Sequence, residues 1–316
     1  MELAVPVVLF LLGILLLERG ADLFTDRVGE LVERTGVSET VVGLLTAGIE
    51  WEELLVSLVA VFSGSPAIAV GNVIGASIAN LTGSFSLGLL ARPIAIARED
   101  RRFAVATLLI TVLAAALLMR GQIRRTEGAL LLAVFIVYFV ALAYLLIKGL
   151  AQPGFEREEE GDGHHGPLVD LALAFAGLGL ILAGAEAVVQ AGLSLANALG
   201  ISEFVIGLTL VAFGTTLPDK VISVAAALKG RSGVVTANVL GSNIFNLTAV
   251  LGLAALATPL NVDEPTRAFD VPFLLAVTAL TALLFLRDRL GRLAGAGLLV
   301  FYIIYLYVNL VVKQGG

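Results

Sequence analysis

Residues 71–82 read GNVIGASIANLT, and residues 237–248 read ANVLGSNIFNLT, so seven of twelve aligned positions are identical. A second pair of stretches shares six of nine positions: GVSETVVGL at residues 36–44 and GISEFVIGL at residues 200–208. The two copies follow the same order along the chain, and the spacing between them is nearly constant. Polar positions that align at such a spacing predict an internal duplication.

The duplicated stretches belong to a strongly apolar chain. Of its 316 residues, 58% are hydrophobic and 15% are charged, whereas a soluble domain carries about 25% charged residues. Ten segments are long and apolar enough to span a bilayer. Their approximate ranges are 3–33, 37–63, 66–90, 102–119, 127–148, 168–198, 202–229, 234–258, 270–286 and 291–312. The predicted fold is an all-α polytopic membrane protein with ten transmembrane helices.

The distribution of positive charge favours one orientation of these spans. With the N-terminus outside, inner loops and helix ends hold 14 of the 20 Lys and Arg residues, outer ones hold 5, and Lys220 lies inside a span. The positive-inside rule then predicts a multi-pass protein of the cell membrane with both termini outside. Because Met1-Glu2-Leu3 lacks a basic n-region, the first apolar run is expected to be a retained helix and not a signal peptide.

Each copy holds five predicted spans. Because five is odd, the second copy enters the membrane from the opposite side, which gives the inverted repeat of many secondary transporters. The predicted domains are residues 1–150 (first five-helix repeat), 151–167 (inner acidic linker) and 168–316 (second five-helix repeat). The linker acids follow no EF-hand spacing, so a solvated connection is expected. In such transporters the binding site lies near the midplane, between the copies.

Spans two and seven carry charges at a depth where charges are costly and tend to mark ion pathways. Residues 46–57 read TAGIEWEELLVS and residues 212–223 read AFGTTLPDKVIS, which makes Glu53 and Asp219 equivalent. An asparagine follows each acid at the same spacing: Asn80 after Glu53 and Asn246 after Asp219. Carboxylate, hydroxyl and amide oxygens suit a hard cation such as Na⁺ or Ca²⁺. The pattern predicts a cation site between the two copies.

Proline and glycine indicate how the helices around this site are shaped. Pro218 has no N–H to donate and Gly214 loosens the same turn, so span seven is expected to be broken where it binds. Gly71, Gly75 and Gly241 are expected to let spans three and eight approach closely, which small-residue packing alone also explains.

The stretch GTTLPD at residues 214–219, followed by GSNIFN at residues 241–246, resembles the second α-repeat of the cation/Ca²⁺ exchanger superfamily, which includes prokaryotic sodium/calcium exchangers. The similarity extends over both halves and includes Gly-Ala-Asp at 20–22 and Gly-Ala-Glu at 184–186. It implies a central site between spans two, three, seven and eight. It also implies exchange of Ca²⁺ for Na⁺ by alternating access, with spans one and six sliding against the core and with no cofactor.

The resemblance implies a role for individual residues. Asp219 takes the place of the family's ion-binding acid, and Glu53 and Asn80 fit the ligands expected in the first half. The other implied ligands are the hydroxyls of Thr215, Thr216 and Ser242, the carbonyl of Ala212 and the amide of Asn246.

The first half departs from the family pattern Gly-Thr-Ser-x-Pro-Glu, because residues 48–53 read GIEWEE. Ile49 and Ala76 cannot ligate through their side chains, so at least one sodium site is expected to be altered. Glu50 shares a helix face with Glu53 and occupies a ligand position, which favours a place in the site over a structural ion pair.

Thr46, Glu52 and Lys220 are expected to support the ligands or balance their charge. Glu52 lies about 200° from Glu50 around a helix of 3.6 residues per turn, so it is expected behind the ligands or along the pathway. Lys220 is the expected partner of one of the additional acids, because an unpaired charge in a span is costly.

The coupling ion has two candidates. If Glu50 and Glu53 take up protons when the divalent ion leaves, the coupling ion is H⁺, since neighbouring carboxylates disfavour each other's ionisation. If the hydroxyls hold Na⁺, the coupling ion is Na⁺, and the presence of Thr215, Thr216 and Ser242 favours this choice.

The composition excludes several classes of function. The chain has no Cys, and its two histidines, His164 and His165, lie in the linker, so thiolate sites and histidine-based catalysis have no support. A Gly-x-Ser-x-Gly motif is also absent from the sequence. A transporter is therefore expected, not an enzyme, with Ca²⁺, Na⁺ and the lipid bilayer as partners and no nucleic acid. The alternatives are an antiporter of H⁺ or of another divalent cation, and a passive cation channel.

Overall fold

The computed structural model describes residues 3–33, 49–147 and 166–312. Eleven helices account for most of them, and α11 is continued by a π-helical turn at Val308–Val312. The helices are α1 (Ala4–Glu33), α2 (Trp51–Phe62), α3 (Pro66–Ala91), α4 (Arg98–Leu118), α5 (Arg125–Ile147), α6 (Pro167–Leu199), α7 (Glu203–Thr215), α8 (Leu217–Leu228), α9 (Ser232–Ala257), α10 (Thr266–Leu284) and α11 (Arg292–Tyr307).

The helices match the predicted spans to within a few residues. Among the described residues, eight helices are long and apolar enough to cross a membrane, and α7 with α8 forms a ninth span that bends by 42°. The predicted second span is described only from Ile49 onward, as α2. Its first part, with Thr46 and the repeated stretch 36–44, lies outside the described residues, as does the linker 151–165. The chain is an all-α polytopic membrane protein.

Burial separates central helices from peripheral ones. In α3 and α9, 89% and 83% of the most apolar stretch is buried, whereas in α5 the share is 11%. Large apolar side chains of α5 such as Val137 and Val140 are exposed, as expected for a surface that faces lipid tails. The two helices that carry Asn80 and Asn246 therefore form the centre of the bundle.

α1 and α6 pack closely in antiparallel directions. A Cβ atom added to Gly13 would lie 3.0 Å from the carbonyl oxygen of Gly184, and one added to Gly20 would lie 2.8 Å from that of Gly177. Small residues allow such close backbone approach between membrane helices. When the two halves are aligned, Gly13 corresponds to Gly177 and Gly20 corresponds to Gly184, so the contact pairs glycines in the way that the predicted duplication would.

The glycines of α3 pack against α7, not against α9 as the sequence suggested. A Cβ atom on Gly71 would clash with the carbonyl of Phe204, and one on Gly75 would clash with the carbonyl of Leu208. For Gly241 of α9, no described residue lies within 4 Å of such an atom. The prediction that these glycines join spans three and eight was wrong, because sequence composition does not specify which neighbour a glycine faces.

Two short antiparallel sheets connect the halves, and the sequence did not predict them. β1 (Ile94–Ala95) pairs with β4 (Arg289–Leu290), and β2 (Gln122–Ile123) pairs with β3 (Leu260–Asn261). β1 follows span three and β4 follows span nine, and in the predicted topology both spans end on the inner side of the membrane. β2 follows span four and β3 follows span eight, and both of these spans end on the outer side. Each sheet thus joins loops that belong to one predicted side of the membrane.

Candidate ion-binding site

Span seven is interrupted, as predicted. α7 ends at Thr215 and α8 begins at Leu217, with a 42° bend between their axes. Thr216 lies between them with φ −86° and ψ 9°. Pro218 is in the first turn of α8, a position where its missing N–H removes no helical hydrogen bond. The break places a helix start near the middle of the span.

α2 begins at the equivalent position of the first half. Glu50, which aligns with Thr216, has non-helical φ −84° and ψ 85°, so the helix starts at Trp51. The first turn of each helix carries an acid, Glu53 in α2 and Asp219 in α8. Both carboxylates therefore lie at the positive end of a helix dipole, a favourable place for negative charge.

Three carboxylates from the two halves meet between these helix starts. One oxygen each of Glu50, Glu53 and Asp219 lies within 4.8 Å of the other two; we call these residues the carboxylate triad. Glu53 and Asp219 are only 1% and 5% exposed, and Glu50 is partly buried. Carboxylates this close repel one another in a low-dielectric interior unless a cation or protons offset their charge. The arrangement has the chemistry of a hard-cation site.

Neutral polar groups of α3 and α9 surround the triad. Ser242 donates its hydroxyl hydrogen to Glu50 Oε1. The buried amide nitrogens of Asn80 and Asn238 lie near the carboxyl group of Asp219 and have no hydrogen-bond partner in the described part of the chain. Hydroxyl and amide groups from both halves thus lie around the same three acids.

The two central helices change geometry near these groups. A π-helical turn runs over Asn80–Ser84 in α3, and another runs over Asn246–Val250 in α9. Asn80 aligns with Asn246, so the turns occupy equivalent positions of the two halves. Single π-helical turns within α-helices are frequent at functional sites. Both begin at an asparagine that the sequence assigns to the site.

The hydroxyls of span seven lie beside the break. Thr215 Oγ1 donates to Asn72 Oδ1 at 3.3 Å, and Thr216 Oγ1 donates to the carbonyl of Ala212 at 2.7 Å. The Ala212 carbonyl also accepts the Thr216 backbone N–H at 3.2 Å. The predicted carbonyl ligand is therefore engaged within its own helix in this conformation.

The remaining predicted positions are not all in contact with the triad. Both amide atoms of Asn246 are buried without a hydrogen-bond partner in the described part of the chain. Ile49 packs against the apolar core, and Ala76 is fully buried; neither has a polar side-chain atom. Glu52 lies outside the triad, and its acidic neighbours include Asp22 of α1 as well as Asp219. This places Glu52 on the side of the site that faces α1.

Lys220 contacts a hydroxyl residue instead of an acid. Its ammonium donates to the backbone carbonyl of Thr216 at 3.0 Å and to the Thr216 hydroxyl. Among the described residues, its ammonium nitrogen forms no ion pair with a carboxylate oxygen within 4.0 Å. Asp219 and Glu53 attract it at longer range. The direct partner differs from the one expected from the sequence.

Comparison with known proteins agrees with this geometry. The sodium/calcium exchanger protein family matches residues 5–144 and 169–311, which covers most of both halves. This chain belongs to that family. Sodium/calcium exchanger MaX1 of Methanosarcina acetivorans is 28% identical, and the alignment covers 97% of this chain and 99% of that protein. Inner membrane protein YrbG of Escherichia coli is 30% identical over 92% of both proteins.

A solved exchanger has the same overall fold. The structure of the sodium-calcium exchanger NCX_Mj soaked with Na⁺ and Sr²⁺ superimposes with a TM-score of 0.65 at 31% identity, covering 96% of this chain and 97% of that one. The family is one of cation exchangers and not of enzymes. The resemblance inferred from residues 214–219 and 241–246 is therefore confirmed at the level of the family.

Asn72 is a polar contact of the site that the sequence did not single out. Its Nδ2 donates to Ser57 Oγ at 3.2 Å and to the backbone carbonyl of Glu53 at 3.5 Å, while its Oδ1 accepts from Thr215. It thus connects α2 with α7. Its equivalent in the second half is Asn238, whose buried Nδ2 lies near Asp219 without a hydrogen-bond partner among the described residues.

The spacing of these asparagines along the sequence could have indicated that they belong to the site. Positions 72, 76 and 80 form an i, i+4, i+8 row on α3, and positions 238, 242 and 246 form the same row on α9. Residues spaced by four share one helix face, so the outer asparagines belong to the face that carries the predicted ligands.

Proposed function

We propose that this protein is a secondary antiporter that exchanges Ca²⁺ for Na⁺ by alternating access. The observation that carries the proposal is the carboxylate triad, buried where the two halves meet. Both ions are transported substrates, and the exchange requires no cofactor. An inward Na⁺ gradient would then drive Ca²⁺ out of the cell.

The chemistry of the triad favours a divalent hard cation. Ca²⁺ takes 6 to 8 oxygen ligands at about 2.3 to 2.6 Å, and carboxylates and amide oxygens are among its preferred ligands. The proposed ligands are Glu50, Glu53, Asn80, Ala212, Thr215, Thr216, Asp219, Ser242 and Asn246. Thr46, Glu52 and Lys220 are proposed to support them or to balance charge. The buried Asn246 amide, which has no partner among the described residues, supports its inclusion.

Na⁺ is the proposed coupling ion. Three hydroxyl residues expected from the family remain in the second half, and two of them, Thr215 and Ser242, hydrogen-bond to groups that surround the triad or to the triad itself. The related exchangers MaX1 and NCX_Mj are named for sodium and calcium. The names of these relatives do not mention protons, so they give no support to H⁺ as the coupling ion.

An inverted pair of five-helix repeats supplies the two conformations in this proposal. The proposed halves are residues 1–150 and 168–316, joined by an inner linker at 151–167. The antiparallel contact between α1 and α6 and the symmetric pairing of the short strands support this arrangement. Because α1 and α6 touch through equivalent glycines, we propose that they move together across the central helices.

The proposed location is the cell membrane, with ten spans and both termini outside. The excess of Lys and Arg at the predicted inner ends supports this orientation. The two sheets support the ten-span topology, because each joins loops that this topology places on a single side of the membrane.

Calcium flux in reconstituted vesicles tests the proposal. Purified protein in liposomes is given an outward Na⁺ gradient, an outward H⁺ gradient or neither, and ⁴⁵Ca²⁺ uptake is measured. We expect uptake only with the Na⁺ gradient. Uptake driven by H⁺ in the absence of Na⁺ would contradict sodium coupling. Conductance without any counter-ion gradient would instead indicate a passive channel.

A further inference from the structure

The ammonium group of Lys220 occupies a position inside the candidate site. The residue is 7% exposed, and its Nζ atom donates to the backbone carbonyl of Thr216 at 3.0 Å and to the Thr216 hydroxyl. The Nζ atom also lies 4.8 Å from the centre of the Phe213 ring, within the range of a cation–π contact. These groups enclose a single positive charge.

The stem of Lys220 is held by the central helices. Its Cε atom lies 3.7 Å from where a Cβ atom on Gly83 would be, within the π-helical turn of α3. The lysine stem therefore packs at van der Waals distance from α3, at the point where α3 changes geometry. The side chain fills a space between α3 and α8 and does not extend toward solvent.

Thr216 is consequently a hydrogen-bond partner of Lys220 through both its hydroxyl and its backbone carbonyl. Its hydroxyl donates to the Ala212 carbonyl at 2.7 Å and accepts from Lys220, and its backbone carbonyl accepts from Lys220 as well. A hydroxyl oxygen has two lone pairs, so one of them is already taken by the ammonium. A position that the family resemblance assigns to an ion ligand thus already contacts a cation.

The charges of the site balance around this lysine. In their ionised forms, the three members of the carboxylate triad carry three negative charges. Lys220, which Asp219 and Glu53 attract, adds one positive charge. Glu52 lies outside the triad, toward α1, and is not counted in this sum. The two negative charges that remain among these four residues equal the charge of one Ca²⁺ or of two Na⁺.

We propose that the Lys220 ammonium is a resident monovalent cation of the site, which replaces one transported sodium ion at Thr216. The proposal rests on the proposed function, sodium/calcium exchange at the triad, and assigns Thr216 to the lysine in place of a transported ion. It implies that the protein exchanges two Na⁺ for each Ca²⁺, without net movement of charge. Without the lysine, a third Na⁺ takes its place, and exchange moves one net charge.

The coupling ratio tests this inference. Wild-type protein and Lys220→Met are reconstituted in liposomes with the membrane potential clamped at zero, and the Ca²⁺ gradient that halts net flux is measured. Across a tenfold Na⁺ gradient, we expect balance at a Ca²⁺ gradient of about 100-fold for the wild type and about 1,000-fold for the variant. The same balance point in both proteins would overturn the proposal.

Voltage provides an independent readout. For one net charge per cycle, a potential of about 100 mV shifts the balancing Ca²⁺ gradient by about 50-fold. We expect this shift in Lys220→Met and none in the wild type. A voltage-dependent balance point in the wild type would overturn the proposal.

Two control variants separate charge from packing. Lys220→Arg keeps a positive charge at the site, so the wild-type ratio is expected. Lys229→Met removes a lysine at the end of α8, outside the site, and is also expected to keep the wild-type ratio. A ratio of three in either control would contradict the assignment of the effect to the Lys220 charge.

Equilibrium binding decides the matter if Lys220→Met does not transport. Displacement of ⁴⁵Ca²⁺ by Na⁺ from detergent-purified protein is expected to steepen, with the Hill slope increasing by about one sodium ion relative to the wild type. If that variant cannot be purified, the slope is measured on Lys220→Gln. An unchanged slope overturns the inference, whereas wild-type protein without any sodium-driven calcium flux would contradict the proposed function itself.

Discussion

Both halves of the site contain a helix start next to the carboxylate triad, but they differ in the side chains at that start. In the second half, residues 214–219 read GTTLPD, and the break in span seven exposes hydroxyls next to a single acid. In the first half, residues 48–53 read GIEWEE, and α2 begins just after an acid. The first half thus contributes two of the three triad carboxylates, and the second half contributes one carboxylate with hydroxyl groups beside it.

This difference shows that aligned positions of the two halves can carry different side chains while both precede a helix start. Glu50 stands where the second half has Thr216, and both residues are the non-helical position before a helix start. The helix start is therefore retained while the side chain before it changes from a hydroxyl to a carboxylate, and ψ at this residue differs, with 85° at Glu50 and 9° at Thr216. The second half carries the compensating charge, Lys220, which contacts Thr216.

The largest expected effect tests what the halves share. Glu53→Gln and Asp219→Asn each remove one buried charge at equivalent positions. Removing one partner of a buried pair of opposite charges costs on the order of 3 to 5 kcal/mol, and the bound Ca²⁺ is the opposite charge here, so we expect a loss of about 100-fold or more in calcium exchange. Sodium-driven ⁴⁵Ca²⁺ uptake in vesicles measures this loss. Glu264→Gln, at an exposed acid, is the matched control.

Either substitution with wild-type flux would remove that residue from the site. Unequal losses would be informative as well, because they would show which half dominates binding of the divalent ion.

A second test concerns the position at which the halves differ. Glu50→Thr gives the first half a hydroxyl at the position of Thr216 and leaves Ser242 without its carboxylate acceptor. Hydrogen bonds to charged groups contribute about 1.5 to 3 kcal/mol, so we expect the half-saturating Ca²⁺ concentration to rise by about 10- to 100-fold. The Ca²⁺ dependence of uptake measures it. An unchanged Ca²⁺ dependence would indicate that Glu50 serves packing or topology only.

A third test compares equivalent glycines in the central helices. A Cβ atom on Gly75 would clash with the Leu208 carbonyl, whereas no described residue lies within 4 Å of one on Gly241. Overpacking typically costs about 1 to 3 kcal/mol. We expect Gly75→Ala to lower the thermal unfolding midpoint of detergent-purified protein and Gly241→Ala to change it less. Equal destabilisation of the two variants would contradict this difference in packing.

The smallest expected effect concerns the asparagines behind the ligands. Asn72→Ala removes hydrogen bonds to Ser57, Thr215 and the Glu53 carbonyl. Because a hydrogen bond contributes about 0.5 to 1.5 kcal/mol net, we expect calcium exchange to weaken by about 2- to 10-fold. Asn238→Ala in the second half is the paired variant. A loss as large as that of Glu53→Gln would mean that Asn72 ligates the ion directly.

Much of the site could be predicted because its residues are repeated. The alignment of the two halves makes Glu53 equivalent to Asp219 and Asn80 equivalent to Asn246, and charges in apolar spans are conspicuous. Asn72 was harder to recognise, because it is uncharged and lies two helical turns from the predicted ligand Asn80. Its role depends on contacts with α2 and α7 that lie far away in the sequence.

The amino-acid sequence by itself determined the membrane class, the limits of the described spans and the break at Pro218, since these follow from apolar length and backbone chemistry within one segment. Tertiary structure alone decided which side chains meet. It brought Glu50 and Glu53 within 4.8 Å of Asp219, and it gave Lys220 a hydroxyl partner instead of a carboxylate. Helical periodicity specifies the face on which a residue lies, but only the packing of distant spans specifies what that face contacts.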